Sequence, residues 1–165
     1  MKFTLNKSHL ANIASIVQRA ASSKDAIPAL SGLLITAANN SISFTATDLE
    51  IGIKKTIEEV VVTEEGKALV NARYFTDLVR YLPDSDVTVA LDKEKSKLQV
   101  IYGRSSSSLN IFDDEEFPDL PLTKLTPICK IPQNILRECI KKTAFAAATN
   151  HFKPVFTGLL FDFEK

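Results

Sequence analysis

The chain predicts an α+β fold in which a strand-helix-three-strand unit recurs, with the helices on one side of the sheets. Three observations carry that expectation. The first is a repeat: Pro28, Gly32, Leu33 and Leu34 return as Pro154, Gly158, Leu159 and Leu160, each displaced by 126 positions, and the same displacement carries Leu10 to Leu136 and Ala20-Ala21 to Ala146-Ala147. A period of that length marks a duplicated domain rather than a solenoid unit. The second is the switching of hydrophobic period between two and 3.6 residues along the chain. The third is composition: 45% hydrophobic and 24% charged residues, with little Gly or Pro, supply a core and exclude the disordered and fibrous classes.

The first strand is expected at Lys2 to Asn6, where Phe3 and Leu5 alternate with polar residues, and Asn6 or Ser8 caps the helix behind it. In that helix Leu10, Ile13, Ala14, Val17 and Ala21 fall at helical spacing, leaving His9, Asn12 and Arg19 on other faces. After a polar loop at Ser22 to Ala26, strands are expected at Leu30 to Thr36 and Ile42 to Thr47, joined through Asn39-Asn40, which tolerate the positive φ of a tight hairpin. A third strand, rich in β-branched residues, is expected from Ile51 to Val62. The order then recurs: a strand at Ala68 to Val70, an Asn71 cap, a helix with Phe75, Leu78, Val79 and Leu82 on one stripe, a stop at Pro83, and strands at Val87 to Leu91, Lys97 to Tyr102 and Ser106 to Ile111.

Asp113 to Glu116 and Phe117-Pro-Asp-Leu-Pro121 are acidic and proline-punctuated, the signature of a linker pinned to a surface by Phe117 and Leu120. The expected organisation is a first domain over 1–120, a linker over 121–127 and a second domain starting at 128. In that second copy Ile128 to Ile131 predicts a strand, Pro132 suits a first helical turn, and Leu136, Cys139, Ile140, Thr143 and Ala147 predict a buried stripe. Because the copy stops at Lys165, about a third of the way through its period, the chain is expected to be a truncated one that cannot close an assembly by itself. Cys129 and Cys139 match neither a redox pair nor a zinc knuckle and are expected to be buried free thiols. The start of the chain has no apolar signal region and no run long enough to span a bilayer, so the expected location is cytoplasmic.

Catalytic motifs are absent: there is no phosphate-cradling Gly loop, no GxGxxG, no GxSxG and no HExxH. His9 and His151 occupy non-equivalent places in the two copies. Asp48 and Glu50, two apart, would share one face of a strand, without a third ligand to make a metal site. Ser105 to Ser108 has neither a base nor an oxyanion motif beside it and reads as the polar side of an edge strand.

Charge is more informative. The net charge is zero, but residues 1–120 carry 13 Lys+Arg against 17 Asp+Glu, while residues 121–165 carry 7 against 3. Arg137 and Lys141 stand at i, i+4 with Lys142 beside them, a like-charge cluster that costs a helix a few tenths of a kcal/mol and that an anion would offset. Arg19 and Lys24 end the first helix and its loop; Arg73 and Arg80 lie opposite the buried stripe of the second. With helices on one side of the sheets, these cations predict sequence-independent phosphate contact.

The opening Met-Lys-Phe-Thr, Pro28-x-Leu-x-Gly32, Thr47-Asp-Leu-Glu50, Ala72-Arg73, Leu82-Pro83 and Phe117-Pro-Asp-Leu-Pro121, in that order, resemble the amino-terminal part of the bacterial DNA polymerase III beta subunit family, the sliding clamps. The resemblance covers the whole chain. It implies a DNA-clamp fold and a processivity factor of three similar domains per subunit. Two subunits would join head to tail around double-stranded DNA, with helices lining the hole. It implies partners in a second clamp subunit, DNA polymerase III and the clamp loader, no membrane, no cofactor, no metal and no catalytic residues. By resemblance the DNA contacts fall on Lys24, Arg73, Asn150, Pro154 and Val155, with Lys153 as a further phosphate contact. Some members carry tyrosines where Pro154 and Val155 stand here, and neither of these can stack on a base. The subunit interface is implied at Leu78, Leu82, Arg104 and Leu109, with Ser107 in place of a family phenylalanine. Two other readings are a duplicated protein-interaction module without DNA contact, and a small hydrolase built on Asp48 and Glu50.

Overall fold

The computed structural model describes residues 1–22, 27–120, 129–149 and 153–163. Its chain divides into two compact units, Met1–Pro121 and Leu122–Lys165.

The first unit runs β1 (Lys2–Asn6), α1 (Lys7–Val17), 3-10 turns at Gln18–Ala20 and Pro28–Ser31, β2 (Gly32–Ala38), β3 (Ser41–Thr47), β4 (Gly52–Ile57), β5 (Val61–Glu64), β6 (Gly66–Asn71), α2 (Ala72–Arg80), β7 (Asp86–Asp92), β8 (Lys97–Tyr102) and β9 (Ser105–Phe112). All pairings are antiparallel, in the order β4-β3-β2-β6-β9-β8-β7-β1-β5. The middle is thin: β6 and β9 pair only through Leu69 with Phe112 and Val70 with Ile111. The sheet is therefore two antiparallel halves joined by a short bridge, and Ser105 to Asn110 keep one backbone edge outside that bridge.

Both helices start as the sequence dictates. Asn6 Oδ1 accepts the Ser8 N–H at 2.9 Å and Asn71 Oδ1 accepts the Tyr74 N–H at 3.0 Å, each satisfying an otherwise unpaired first-turn donor. The apolar stripe of α1 (Leu10, Ile13, Ala14, Val17) and that of α2 (Ala72, Phe75, Val79) enter one core with Phe3, Leu33, Ile35, Phe44, Val89 and Val100. Phe44 and Phe75 meet with ring centroids 6.2 Å apart. Burying each such side chain contributes roughly 1.5–3 kcal/mol against chain entropy. α1 packs on α2, β1, β3 and β4, while α2 also contacts β6.

One expected strand is two. The stretch from Ile51 to Val62 breaks at Glu58-Glu59, where Glu59 takes φ 60°, and β4 and β5 lie at opposite ends of the strand order. Two adjacent carboxylates resist a ladder position, and buried Val60 fixes the crossing by donating its N–H to Asn40 O at 2.9 Å. Asn39 and Asn40 do take the left-handed turn, with φ 51° and 54°. Phe117 packs with Ala29 and Leu69 in a small satellite cluster, and Leu120 lies against Gly52.

The second unit repeats the first in detail. α3 (Gln133–Thr143) and the 3-10 turns Ala144–Ala146 and Pro154–Thr157 are α1 and its two following turns, each displaced by the same 126 positions. Their hydrogen bonds recur as well. Ser22 N–H to Leu30 O at 2.8 Å becomes Ala148 N–H to Phe156 O at 2.8 Å, and Ser31 Oγ to Pro28 O at 2.7 Å becomes Thr157 Oγ1 to Pro154 O at 2.7 Å.

Burial in this unit departs from expectation. Of the stripe expected to be buried, Leu136 and Ala147 are half-buried, whereas Cys139, Ile140 and Thr143 are exposed, and Cys129 is exposed too. No ladder forms over Cys129 to Ile131, and Ile128 lies outside the described residues. The cause is the missing partner surface: in the first unit the equivalent helix rests on strands, and among the described residues the second unit has none.

Candidate nucleic-acid interface

Because α1 and α2 turn their apolar stripes to the sheet and to each other, their charged positions are left on the outer helix faces. Arg19, at the end of the first 3-10 turn, is exposed, as are Arg73 in the first turn of α2 and Arg80 in its last. Among the described residues Arg73 is restrained only by Asp77 one turn on, Nε to Oδ2 3.8 Å, with its side chain 79% exposed. A pair that open has little net strength, so Arg73 is available to another anion. Lys24 lies outside the described residues.

In the second unit α3 presents Arg137 and Lys141 on its exposed side, and among the described residues neither has a carboxylate within ion-pair distance. The third member of the expected cluster is engaged: Lys142 Nζ lies 2.7 Å from Glu138. Lys153 is exposed, its Nζ 5.6 Å from the centroid of Phe156. Pro154 opens the last 3-10 turn and Val155 is 79% exposed. Asn150 and His151 lie outside the described residues.

The residues implied for a subunit contact divide by burial. Leu82 belongs to the core, Leu78 and Leu109 are half-buried at its margin, and Arg104 is exposed in the turn between β8 and β9. Ser107 is half-buried, its Oγ 3.3 Å from the Tyr102 hydroxyl.

The carboxylates weighed as a catalytic pair do not share a strand face. Thr47 ends β3, and Asp48 Oδ1 accepts the N–H groups of Glu50 at 3.0 Å and Ile51 at 2.7 Å, closing a turn in which Leu49 takes φ 73°. Asp48 is spent on backbone geometry. Among the described residues no group of three His, Cys, Asp or Glu is placed to hold a metal, and no helix is long and apolar enough to cross a membrane. Two shifted ionisations lie away from the helix faces. The Lys67 ammonium is raised by its hydrogen bond to Asp114 at 2.6 Å, and the Asp92 carboxyl is lowered chiefly by the Lys95 backbone N–H at 3.1 Å.

Reasoning from charge alone passes over two residues. Tyr74, on α2, and Tyr81, at its C-cap, are 65% and 83% exposed and flank half-buried Leu78 at i, i+4 and i, i+3. The available signal was a dipeptide, Arg-Tyr at 73–74, repeated at 80–81.

Residues 1–121 match the family model described as DNA polymerase III beta subunit, N-terminal domain. The chain is 33% identical to the beta sliding clamp of Bacillus subtilis over 167 residues, 96% of this chain and 44% of that protein, and 34% identical to that of Vibrio cholerae over 164 residues, 99% and 44% respectively. Among solved structures, the sliding clamp of Bacillus subtilis superposes with a TM-score of 0.87 at 30% identity, covering 94% of this chain and 42% of the other. The DNA polymerase III subunit beta of Pseudomonas aeruginosa gives 0.86 at 27%, covering 96% and 43%. The chain thus spans less than half the length of these relatives. Matched across its first unit by the family model and across nearly all its length by these proteins, the chain belongs to the DNA polymerase III beta subunit family.

Proposed function

We propose that this chain is the amino-terminal part of a DNA sliding clamp, a non-catalytic replication processivity factor that encircles duplex DNA in the cytoplasm. The observation that carries the reading is the recurrence of one helix unit with exposed cations on its outer side, Arg19, Arg73 and Arg80 in the first copy, Arg137 and Lys141 in the second. Family membership supports it. A ring held by topology needs weak contacts that leave it free to slide, and exposed side chains on long stems, one of them shared with Asp77, supply weak contacts. Lys24, Asn150, Lys153, Pro154 and Val155 are further contact positions of this proposal.

The same reading assigns a head-to-tail contact with a second clamp subunit to Leu78, Leu82, Arg104 and Leu109. The open backbone edge of β9 at Ser105 to Asn110 and the half-buried Leu78 and Leu109 support it, since an unpaired edge beside apolar side chains favours strand addition. In the ring, DNA polymerase III and the clamp loader are the protein partners.

Fluorescence anisotropy of a labelled duplex across a salt series tests the DNA assignment. Affinity should be independent of sequence and fall steeply with salt, and Arg73→Glu should weaken it and flatten the log-log salt slope by about one. Equal affinity of the Arg73→Glu and unaltered chains at low salt would count against α2 as the DNA-facing element.

A further inference from the structure

We infer that Tyr74 and Tyr81 are the aromatic anchors of the head-to-tail subunit contact. The surface they enter on the second clamp subunit is an exposed strand edge flanked by aliphatic pockets, with carboxylates at its rim. The inference rests on the clamp reading above and says which side chains carry its contact.

α2 has three faces. At about 100° per residue, Tyr74, Leu78 and Tyr81 fall within about 60° of one another round the axis. Tyr81 belongs to the stripe because the C-cap keeps helical backbone, φ −91° and ψ 0°. The buried positions Ala72, Phe75, Thr76 and Val79 lie roughly 130° to one side, and Arg73 and Arg80 about 100° to the other. The rings therefore serve neither the core nor the cationic face. They stand 65% and 83% exposed, astride half-buried Leu78. Among the described residues neither hydroxyl has a hydrogen-bond partner. A buried phenol finds one as a rule, so the partner surface has to bring an acceptor to each ring.

The strand edge that goes with this stripe is chosen by contrast. α2 rests on β6, and β6 pairs with β9. Open edges also run along β4 and β5, the two ends of the strand order. β4 carries Lys54 and Lys55, while β5 has four residues, ends in Glu64 and shifts register against Lys2 and Phe3. Charge, brevity and bulges are the devices that keep a further strand off an edge. β9 has eight residues, none of them charged, and is left able to accept one. Its side chains from Ser105 to Ser108 are small hydroxyls, with Ser107 Oγ 3.3 Å from the Tyr102 hydroxyl. That edge supplies backbone hydrogen bonds and little apolar area.

The helix supplies the area. At 150–250 Å² per aromatic side chain, the two rings have on the order of 200–370 Å² left to cover, against about 800 Å² buried per partner in a standard contact. Leu78 and Leu109 extend that surface from the margin of one core. Arg104, exposed between β8 and β9, has no carboxylate within ion-pair distance among the described residues, which calls for acidic groups opposite. Tyrosine and arginine are the residue types that dominate contact energies. The occupant is a second clamp subunit because the stripe is continuous with Leu78 and shares its surface with the contact already assigned there.

Sedimentation equilibrium of the full-length subunit over a dilution series tests the anchors. Tyr74→Ala and Tyr81→Ala should each raise the dimer dissociation constant about tenfold or more. Tyr74→Phe and Tyr81→Phe, which keep the rings, should retain most of the affinity. The urea midpoint of the 165-residue chain should not move with any of the four, since both rings are exposed in it. Unchanged dissociation of the Ala variants, or equal losses for Phe and Ala, would overturn the anchors. So would Ala variants that dimerise normally and lose the clamp loader, because the stripe would then belong to another partner. Failure of the unaltered subunit to dimerise would instead overturn the head-to-tail reading, so the two failures are distinguishable.

Discussion

Substituting the same glycine in the two copies of the repeat should give opposite results. At Gly32 an added Cβ would sit 2.5 Å from Leu69 Cδ1 and 2.7 Å from the Ala29 carbonyl oxygen. The leucine can rotate, but the carbonyl cannot withdraw, because it accepts the N–H of Gly32 itself and closes the turn that leads into β2. Forced overpacking of that kind costs typically ~1–3 kcal/mol, and a backbone obstacle puts Gly32→Ala toward the upper end. For a unit of this size each kcal/mol moves the melting temperature by about 3–5 °C, so a fall of roughly 6–15 °C is expected. At Gly158 the nearest atom to the added Cβ is the Val155 carbonyl oxygen at 3.9 Å, and the backbone, φ −100° and ψ 166°, suits any residue. There Gly158→Ala should be neutral or stabilise by up to ~1 kcal/mol through the unfolded chain. Thermal unfolding followed by circular dichroism reads the first, and amide exchange over residues 133–157 reads the second. An unmoved transition for Gly32→Ala, or an equal loss for Gly158→Ala, would refute the steric argument.

Asn71→Ala should cost about 1 kcal/mol in a urea titration, since the Tyr74 N–H loses its side-chain acceptor at the start of α2. Phe75→Ala removes a fully buried ring in contact with Phe44 and should cost ~3–5 kcal/mol, a large share of a small domain's stability, read as a lower urea midpoint. The Asp92 carboxyl, held below its ordinary 3.8 by the Lys95 N–H, contributes stability that is present above 3.8 and is lost as pH falls through the lower folded value. The melting-temperature gap between the unaltered chain and Asp92→Asn should therefore be open at neutral pH and close in acid. The gap should also narrow in salt, because the Lys95 ammonium at 3.2 Å is exposed.

What could be read from the residues and what could not follows the range of the forces involved. α1 and α2 were legible because a cap, a stripe and a stop lie within a dozen positions, as at Asn71, Phe75, Val79 and Pro83. The repeat was legible because turn geometry repeats with its residues: the hydrogen bonds at Pro28–Ser31 return at Pro154–Thr157. The split of the third strand was not, because the destinations of β4 and β5 depend on ladders with β3 and β1, set by residues distant in the chain. Exposure of Cys129 and Cys139 was hidden for the same reason: an apolar stripe states what a helix can bury and leaves open whether a surface is there to receive it. Asp48 misled because a carboxylate at a strand end has two uses, chemistry and turn closure, that look alike in one dimension.

The placement of β1 sets a schedule for folding. Lys2 pairs on one side with Glu64 and on the other with Ala90, so β1 is fully seated only after a segment 88 positions further along the chain has been made. At ~5–20 residues/s a ribosome needs about 4–18 s to deliver the second of those neighbours. Through that interval β1 has at most its β5 neighbour, so Phe3, which stands opposite both Val62 and Val89, stays only partly covered and one edge of the strand is open to a holdase. Moving β1 to follow β9 by circular permutation would abolish the delay, and slower synthesis should then no longer raise the aggregated fraction.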